Sequence, residues 1–403
     1  SSQSAEKFLL NHIKGFSPLL CREVCVRAGL DPQAMVSSLS QAERSNLKQA
    51  MDEIIQEIIQ NQYVPCIIFE DEQYQRPIDF HCLNITQYRH VLVMDSISKT
   101  LDIFYSSRDN AERLKQKKSD IFKALNNSID RCLKKLAIQQ DTLREVADRE
   151  KFKLYGELIT ANIYSIPNNA RSVSLLNYYS ENAEHIEIPL DPNLLPQENA
   201  QRYFKKYAKA KSTFISTSRQ LEETRKELEY LENVMQLLEN CTTLREIDEV
   251  RQELAEEGYL NLRKKNGQGK KTGKQLSLSE PMHFKSSDGF DIFVGKNNKQ
   301  NDYLTLKFSQ SNDIWLHTKN IPGSHVIIRR NGRDIPDSTI KEAAILAAWF
   351  SKARMSGNVP VDYTAVKNVS KPSGAKPGMV IYVNYKTAFV TPDKSVVDNC
   401  SNN

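Results

Sequence analysis

Apolar residues recur every three or four positions over two long stretches of this chain, Asp95–Lys151 and Pro196–Glu257, and no Gly or internal Pro interrupts either. In the second, Leu221, Thr224, Leu228, Leu231, Met235 and Leu238 form the seam of a coiled coil. The first carries a more polar counterpart through Leu114, Ile121, Leu125, Cys132 and Leu136. A seam of this kind can also join two copies of a chain. Here the Pro192 and Pro196 breaks and a short insert at 156–195 turn the chain back on itself. The pattern therefore predicts one antiparallel arm, each helix about 75 Å long at roughly 1.5 Å per residue. The insert reads as a helix at Gly156–Tyr164 and a hairpin from Ser172–Leu176 to His185–Ile188.

Outside the arm the period changes. Residues 1–60 read as short helices: Ser17-Pro18 is an N-cap with Pro at the first helical position, Gly29 is placed to end that helix, and Ser40 caps an amphipathic run through Leu47, Ile54 and Ile58. Residues 61–92 contain a β-hairpin, Val64–Phe69 against Ile78–Leu83. The arm fills 93–262, and 263–280 is a basic, glycine-rich linker. The remainder, 281–403, alternates short strands with a helix at Ile340–Met355 and ends in strands Met379–Asn384 and Thr387–Thr391, paired with each other. The fold class is thus α+β multidomain: a small helix-turn-helix-like domain, a long antiparallel coiled-coil arm with a β-containing insert, and a C-terminal α+β domain.

The densest chemistry lies in Asp313–Ile328, where a tryptophan and two histidines surround a Pro-Gly turn. Val326–Ile328 reads as a buried strand, and Pro322-Gly323 as the turn before it, with Gly free to take positive φ. His317 and His325 then flank a tight reversal, close enough to cooperate, while Asp313, Trp315 and His317 alternate onto one strand face. A general base or a metal site would use the same residues, but a metal wants a third ligand and no further His or Cys lies nearby. No metal, cofactor or catalytic residue is assigned. Lys371-Pro-Ser-Gly-Ala-Lys376 lacks the spacing of a nucleotide phosphate loop, yet its lysines suit a backbone phosphate. Arg329, Arg330 and Arg333 gather around an Asn331-Gly332 hairpin-type turn.

Charge sharpens this picture. The chain carries +5 overall, and all of that excess falls in 280–403, with 16 basic and 11 acidic residues. The stretch Arg263–Lys274 adds six basic residues and no acidic one. Concentrated positive charge suits a polyanion such as RNA. The candidate RNA contacts are therefore Arg329, Arg330, Arg333, Lys371, Lys376, His317, His325, Lys270 and Lys271. Seven scattered cysteines without a Cys-x-x-Cys pair speak against a disulfide framework or zinc site. No apolar run is long enough to span a membrane. The opening Ser1–Glu6 reads as a start inside a longer protein.

The 313–328 segment and Lys371–Tyr382 together resemble the C-terminal RNA-binding module of the NFACT family. Leu154–Asn162, Ile188–Pro192 and Glu198–Tyr207 resemble its middle region, and Gly15–Pro18 the turn of its helix-turn-helix-like domain. The resemblance implies a cytoplasmic, non-enzymatic factor of ribosome-associated quality control. Such a factor binds the obstructed large ribosomal subunit and recruits tRNA, alanyl-tRNA in bacteria, to tail stalled chains without a template. It also implies two alternatives, a fibronectin-binding surface adhesin and, from the glycosylase-like helices, a nucleic-acid-processing protein. The family's N-terminal lobe, with its acidic–basic pair implicated in tRNA engagement, is expected to be missing here, with only the 61–92 hairpin as its remnant.

Overall fold

The computed structural model describes residues 3–72, 74, 76–180, 184–261 and 279–402. Nearly all of the expected 263–280 linker, Lys270 and Lys271 included, lies outside the described residues. The chain divides into two compact units, 1–116 and 117–403.

In the first unit, α1 (Ala5–His12), α2 (Pro18–Arg27) and α3 (Gln41–Ile59) enclose a core of Leu9, Val24, Cys25 and Ile54. The predicted caps are present. Ser17 Oγ accepts from the Leu20 amide at 3.2 Å, and Ser40 and Glu43 form a capping box. Strands β1 (Cys66–Phe69) and β2 (Pro77–His81) make the expected hairpin, joined by β3 (Val91–Val93), too short for periodicity to reveal. Phe104, near the start of α4 (Ile97–Glu145), packs with Ile67 and Phe69.

The second unit begins within α4. After a break at 146–148 come α5 (Arg149–Ala161), β4 (Ser172–Leu176) paired with β5 (His185–Pro189), α6 (Pro196–Asn240) and α7 (Leu244–Glu256). Contacts along α4–α5 and α6 run antiparallel. Lys118 Nζ donates to the Glu239 carbonyl at 2.9 Å, the Arg149 guanidinium sits 3.7 Å over the Phe214 ring, and Gly156 lies against Phe204. Ile121, Leu125 and Cys132 are buried on one side, Leu221, Thr224 and Leu231 on the other, while Leu228 and Met235 are only half-buried. The second long helix does not run to Glu257 as its period suggests. Cys241 is extended, and the Thr243 side chain caps α7 in a box with Glu246. Side-chain capping there competes successfully with helix continuation.

The C-terminal domain follows as β6 (Met282–Lys285), β7 (Asp291–Val294), α8 (Asn298–Tyr303) running into a π-helical turn at 304–308, β8 (Ile314–Thr318), β9 (Val326–Ile328), α9 (Asp337–Trp349), β10 (Val359–Ala365), β11 (Val369–Ser370), β12 (Ile381–Tyr382), β13 (Lys386–Val390) and α10 (Lys394–Asn402). Six strands form an antiparallel sheet in the order β13-β10-β8-β9-β7-β6. Helix α9 covers one face through Ala343, Ala344, Leu346 and Ala347 against Leu316, Val326 and Ile328. The last two strands do not pair with each other as expected. β12 joins β11 and β13 joins β10, because Thr364 Oγ1 donates to the Val383 and Asn384 carbonyls and the Val383 amide to Asn368.

Candidate functional site: a polar cavity behind Trp315

Strand alternation on β8 sends Leu316 towards α9 and Trp315 and His317 to the opposite face. On that face four rings meet. Trp315 lies 5.9 Å from His317, nearly parallel, 5.2 Å from His325, edge-on, and 4.8 Å from Tyr382. The two histidine rings are 5.5 Å apart. Asp362, opposite His317 on β10, is buried and accepts from Tyr382 Oη at 2.9 Å and Thr387 Oγ1 at 2.6 Å.

These rings form one wall of a cavity of about 610 Å³, and the other wall is α6 from Glu222 to Asn233. Residues 377–382 and Asn298 complete it. Gly378 is required there: its φ is +78°, and a Cβ would meet Asn298 Oδ1 at 2.2 Å. The turn ahead of His325 departs from expectation. Positive φ falls on Asn320 (54°), whereas Gly323 is small because its backbone crosses Ser351, whose Cβ an added methyl would meet at 2.9 Å.

Both histidines are held neutral. Burial pushes the His317 pKa down, against the Gly323 and Thr318 backbone carbonyls, and no partner reaches its Nε2. His325 is driven well below the ordinary imidazole value by burial, then by His317. Its Nδ1 pairs with Thr305 Oγ1 at 2.8 Å, and its amide donates to Asn301 Oδ1 at 3.1 Å.

The remaining candidates are spread over several settings. Asp313 is no partner of the histidines: it accepts from the Gln310 and Arg330 amides, both at 2.9 Å, and its Oδ2 lies 3.5 Å from Arg329. Arg329 is largely covered and sits 4.3 Å over Phe308. Arg330 pairs with Asp334 at 2.6 Å, while Arg333 lies 4.0 Å over Phe290 and donates to the Gly289 carbonyl. Asn331 and Gly332 both take positive φ, but their turn leads into α9 instead of a hairpin. Lys371 is engaged by Asp302, which also takes the Gly378 amide at 3.1 Å. Lys376 Nζ donates to Tyr259 Oη at 2.6 Å, 4.7 Å over the Tyr230 ring. The two loop lysines thus anchor the 371–378 loop, whose Pro377 and Gly378 line the cavity. Among the described residues no three His, Cys, Asp or Glu side chains converge as a metal site would require, and Cys21 and Cys25 are buried in the first core.

Sequence reasoning missed a buried polar seam between α7 and the C-terminal domain. Glu246, Glu249, Glu253 and Glu256 form one stripe of α7. They meet Lys296 (3.0 Å), Asn297 Nδ2 (2.7 Å), Asn298 Nδ2 (3.0 Å) and Lys299 (2.6 Å) in turn. Ser279 joins Glu249 through its amide at 2.7 Å. Glutamates at steps of three and four are the visible signal, but such a stripe ordinarily faces water.

Comparison with known proteins agrees with this architecture. A sequence model described as NFACT N-terminal and middle domains matches residues 1–273, and one described as NFACT protein RNA binding domain matches 280–384. The first match corrects the expectation of a missing N-terminal lobe, since residues 1–116 fall inside the region that model describes. The chain is 38% identical over 394 residues to the Rqc2 homolog RqcH of Bacillus subtilis (strain 168), covering 97% of this chain and 65% of that protein. It is 40% identical over 304 residues to the Rqc2 homolog RqcH of Streptococcus suis (strain 05ZYH33), covering 75% and 53%. It thus spans between half and two thirds of these relatives. A solved structure, the C-terminal part of the fibronectin/fibrinogen-binding protein from Streptococcus suis, overlays 72% of this chain and 99% of its own with a TM-score of 0.55 at 35% identity. No described helix is long and apolar enough to cross a membrane. Two family matches that together run from residue 1 to 384, in the order the motifs predict, leave one conclusion: the chain belongs to the NFACT family.

Proposed function

We propose that this chain serves a ribosome-associated quality control factor. It binds the large ribosomal subunit that still carries a stalled peptidyl-tRNA and recruits tRNA, alanyl-tRNA by the family resemblance. It thereby promotes template-free alanine tailing in the cytoplasm. The peptide-bond chemistry belongs to the ribosome, so the chain is a binding factor without cofactor of its own. The observation that carries this reading is the match to the Rqc2 homolog RqcH along 97% of the chain, with an RNA-binding module at its end. The helix-turn-helix-like reading of 1–60 and the coiled-coil reading of 93–262 fit it. A helix the length of α6 reaches about 70 Å, a span suited to distant points on a ribosomal surface. Sucrose-gradient co-sedimentation with separated subunits, over a salt series, tests the proposal. Co-migration with the large subunit, falling steeply with salt, is expected. Sedimentation with neither subunit at low salt would sink it.

The solved relative favours a second reading, binding of fibronectin. Retention on immobilised fibronectin that survives ribonuclease treatment, in a chain that ignores ribosomes, would select it.

A further inference from the structure

Among the described residues nine buried side-chain nitrogen and oxygen atoms have no hydrogen-bond partner, and four of them line the one cavity behind Trp315. Trp315 Nε1 is a donor. His317 Nε2 has no partner, and in the neutral ring it donates or accepts according to the tautomer. Asn298 Oδ1 is an acceptor by elimination, since its Nδ2 donates to Glu253 Oε1 at 3.0 Å. Asn233 Oδ1 is the fourth. Trp315 and Asn298 are each 1% exposed, so solvent at the surface does not satisfy them. Proteins seldom leave such groups unpaired, and each costs about 1–3 kcal/mol when they do. Their concentration around one cavity marks a binding site.

The chemistry of the wall selects the ligand. Its deep part carries no net charge: an indole, a neutral imidazole, amides and the Tyr382 ring. Charged groups stand only at the mouth, where Glu222, Glu229 and Glu232 alternate with Arg225 and Lys226 along α6. A buried cation or anion would find no counter-charge, and glutamates at the mouth repel a free phosphate. A neutral planar ring with both donors and acceptors on its edge fits, and the half-buried Tyr382 ring offers a π surface to it. The volume lies within the roughly 300–1,000 Å³ usual for small-ligand sites.

We propose that this cavity receives a single unstacked nucleobase of a single-stranded RNA segment, with Trp315 Nε1 and His317 Nε2 as its polar contacts. The phosphates stay outside the glutamate-lined mouth, on the side of Lys319, whose Nζ also lies 3.7 Å from Asp362 Oδ1. Lys319 lies 4.9 Å over the exposed ring of Tyr385, on a face that also presents Phe389, 63% exposed. This inference rests on the RNA-binding reading and gives it a point of base contact.

The test uses the whole chain, with 5-fluorotryptophan incorporated so that Trp315 and Trp349 are resolved without substitution. Short single-stranded oligoribonucleotides should shift the Trp315 signal and leave Trp349 in place, and the same strands with abasic sugars should not. Trp315→Phe and His317→Ala should weaken oligonucleotide binding about tenfold or more, the loss expected for one stacked, hydrogen-bonded base. Equal melting temperatures establish that each variant folds; if one does not, the fluorine shift in the unsubstituted chain decides alone. Tight RNA binding with an unmoved Trp315 signal overturns the cavity and leaves RNA binding intact. Binding of no oligonucleotide, with no ribosome co-sedimentation, overturns the RNA reading itself. A Trp315 shift caused by a peptide and not by RNA overturns the nucleobase assignment.

Discussion

Glu253 offers the most quantitative check on the seam that joins α7 to the C-terminal domain. It is 1% exposed, and burial pushes its carboxyl up to about 7 from an ordinary 4.5, against the donors Asn298 Nδ2 and Tyr230 Oη. A raised carboxyl pKa means that the folded state holds the proton more tightly. Below pH 4.5 both folded and unfolded chains are protonated; between 4.5 and 7 only the folded chain is; above 7 neither is. Stability therefore falls as pH rises through that window, by about 1.4 kcal/mol per pH unit at most and about 3 kcal/mol in total. Glu253→Gln keeps an oxygen for both donors and removes the titration. His317 and His325 push the other way, since their depressed pKa values cost stability as pH falls below about 6.5. The difference between the two proteins cancels them. Both tryptophans, Trp315 and Trp349, lie in the C-terminal domain, so urea unfolding followed by tryptophan fluorescence reads the right region. Glu253→Gln should gain on the parent by about 3 kcal/mol between pH 4.5 and 7, then run level. A difference that does not change with pH would refute the reasoning.

Other expectations follow from single contacts. His325→Ala should cost about 1–3 kcal/mol by leaving Thr305 Oγ1 unpaired, read as a lower melting temperature that EDTA does not alter. Gly378→Ala should destabilise by more than about 1 kcal/mol, from positive φ plus the clash with Asn298; unchanged thermal stability would contradict the loop geometry. Leu231→Ala, at a fully buried seam position, should cost about 2–5 kcal/mol in urea unfolding, and a loss within error would mean that α6 does not pack there. Arg330→Ala with Arg333→Ala should lower the salt dependence of RNA binding by about 0.7–0.9 per lost phosphate contact, whereas Arg329→Ala should act on stability through Asp313 and Phe308.

Much of the fold was legible because it repeats. The α4 and α6 seams, the caps at Ser17 and Ser40 and the buried run Val326–Ile328 all express a local period or a local hydrogen bond. Failures occurred where distant residues decide. β12 and β13 turn away from each other because Thr364 and Asn368, some 20 residues earlier, take the intervening carbonyls and amide. The helix break at Cys241 is set by a threonine cap whose glutamate must also reach Lys296. At the site, alternation placed Trp315 and His317 on one face, and the turn brought His325 to them. Nothing local could show that α6 supplies the facing wall, or that Lys371 and Lys376 are ion-paired with Asp302 and Glu257. An electrostatic reading of sequence counts charges; it does not see which are already neutralised.

The carboxylate stripe of α7 also has a mechanical meaning. Helix α6 is a lever about 70 Å long whose near end forms a wall of the cavity. Without a brace, torque at the far end would pry that wall from Trp315. The bonds from Glu246, Glu249, Glu253 and Glu256 to residues 296–299 act as the brace, lying just past the bend at Cys241–Thr243. Any load on the arm therefore meets these four contacts to the sheet domain beside the cavity wall, rather than the wall alone.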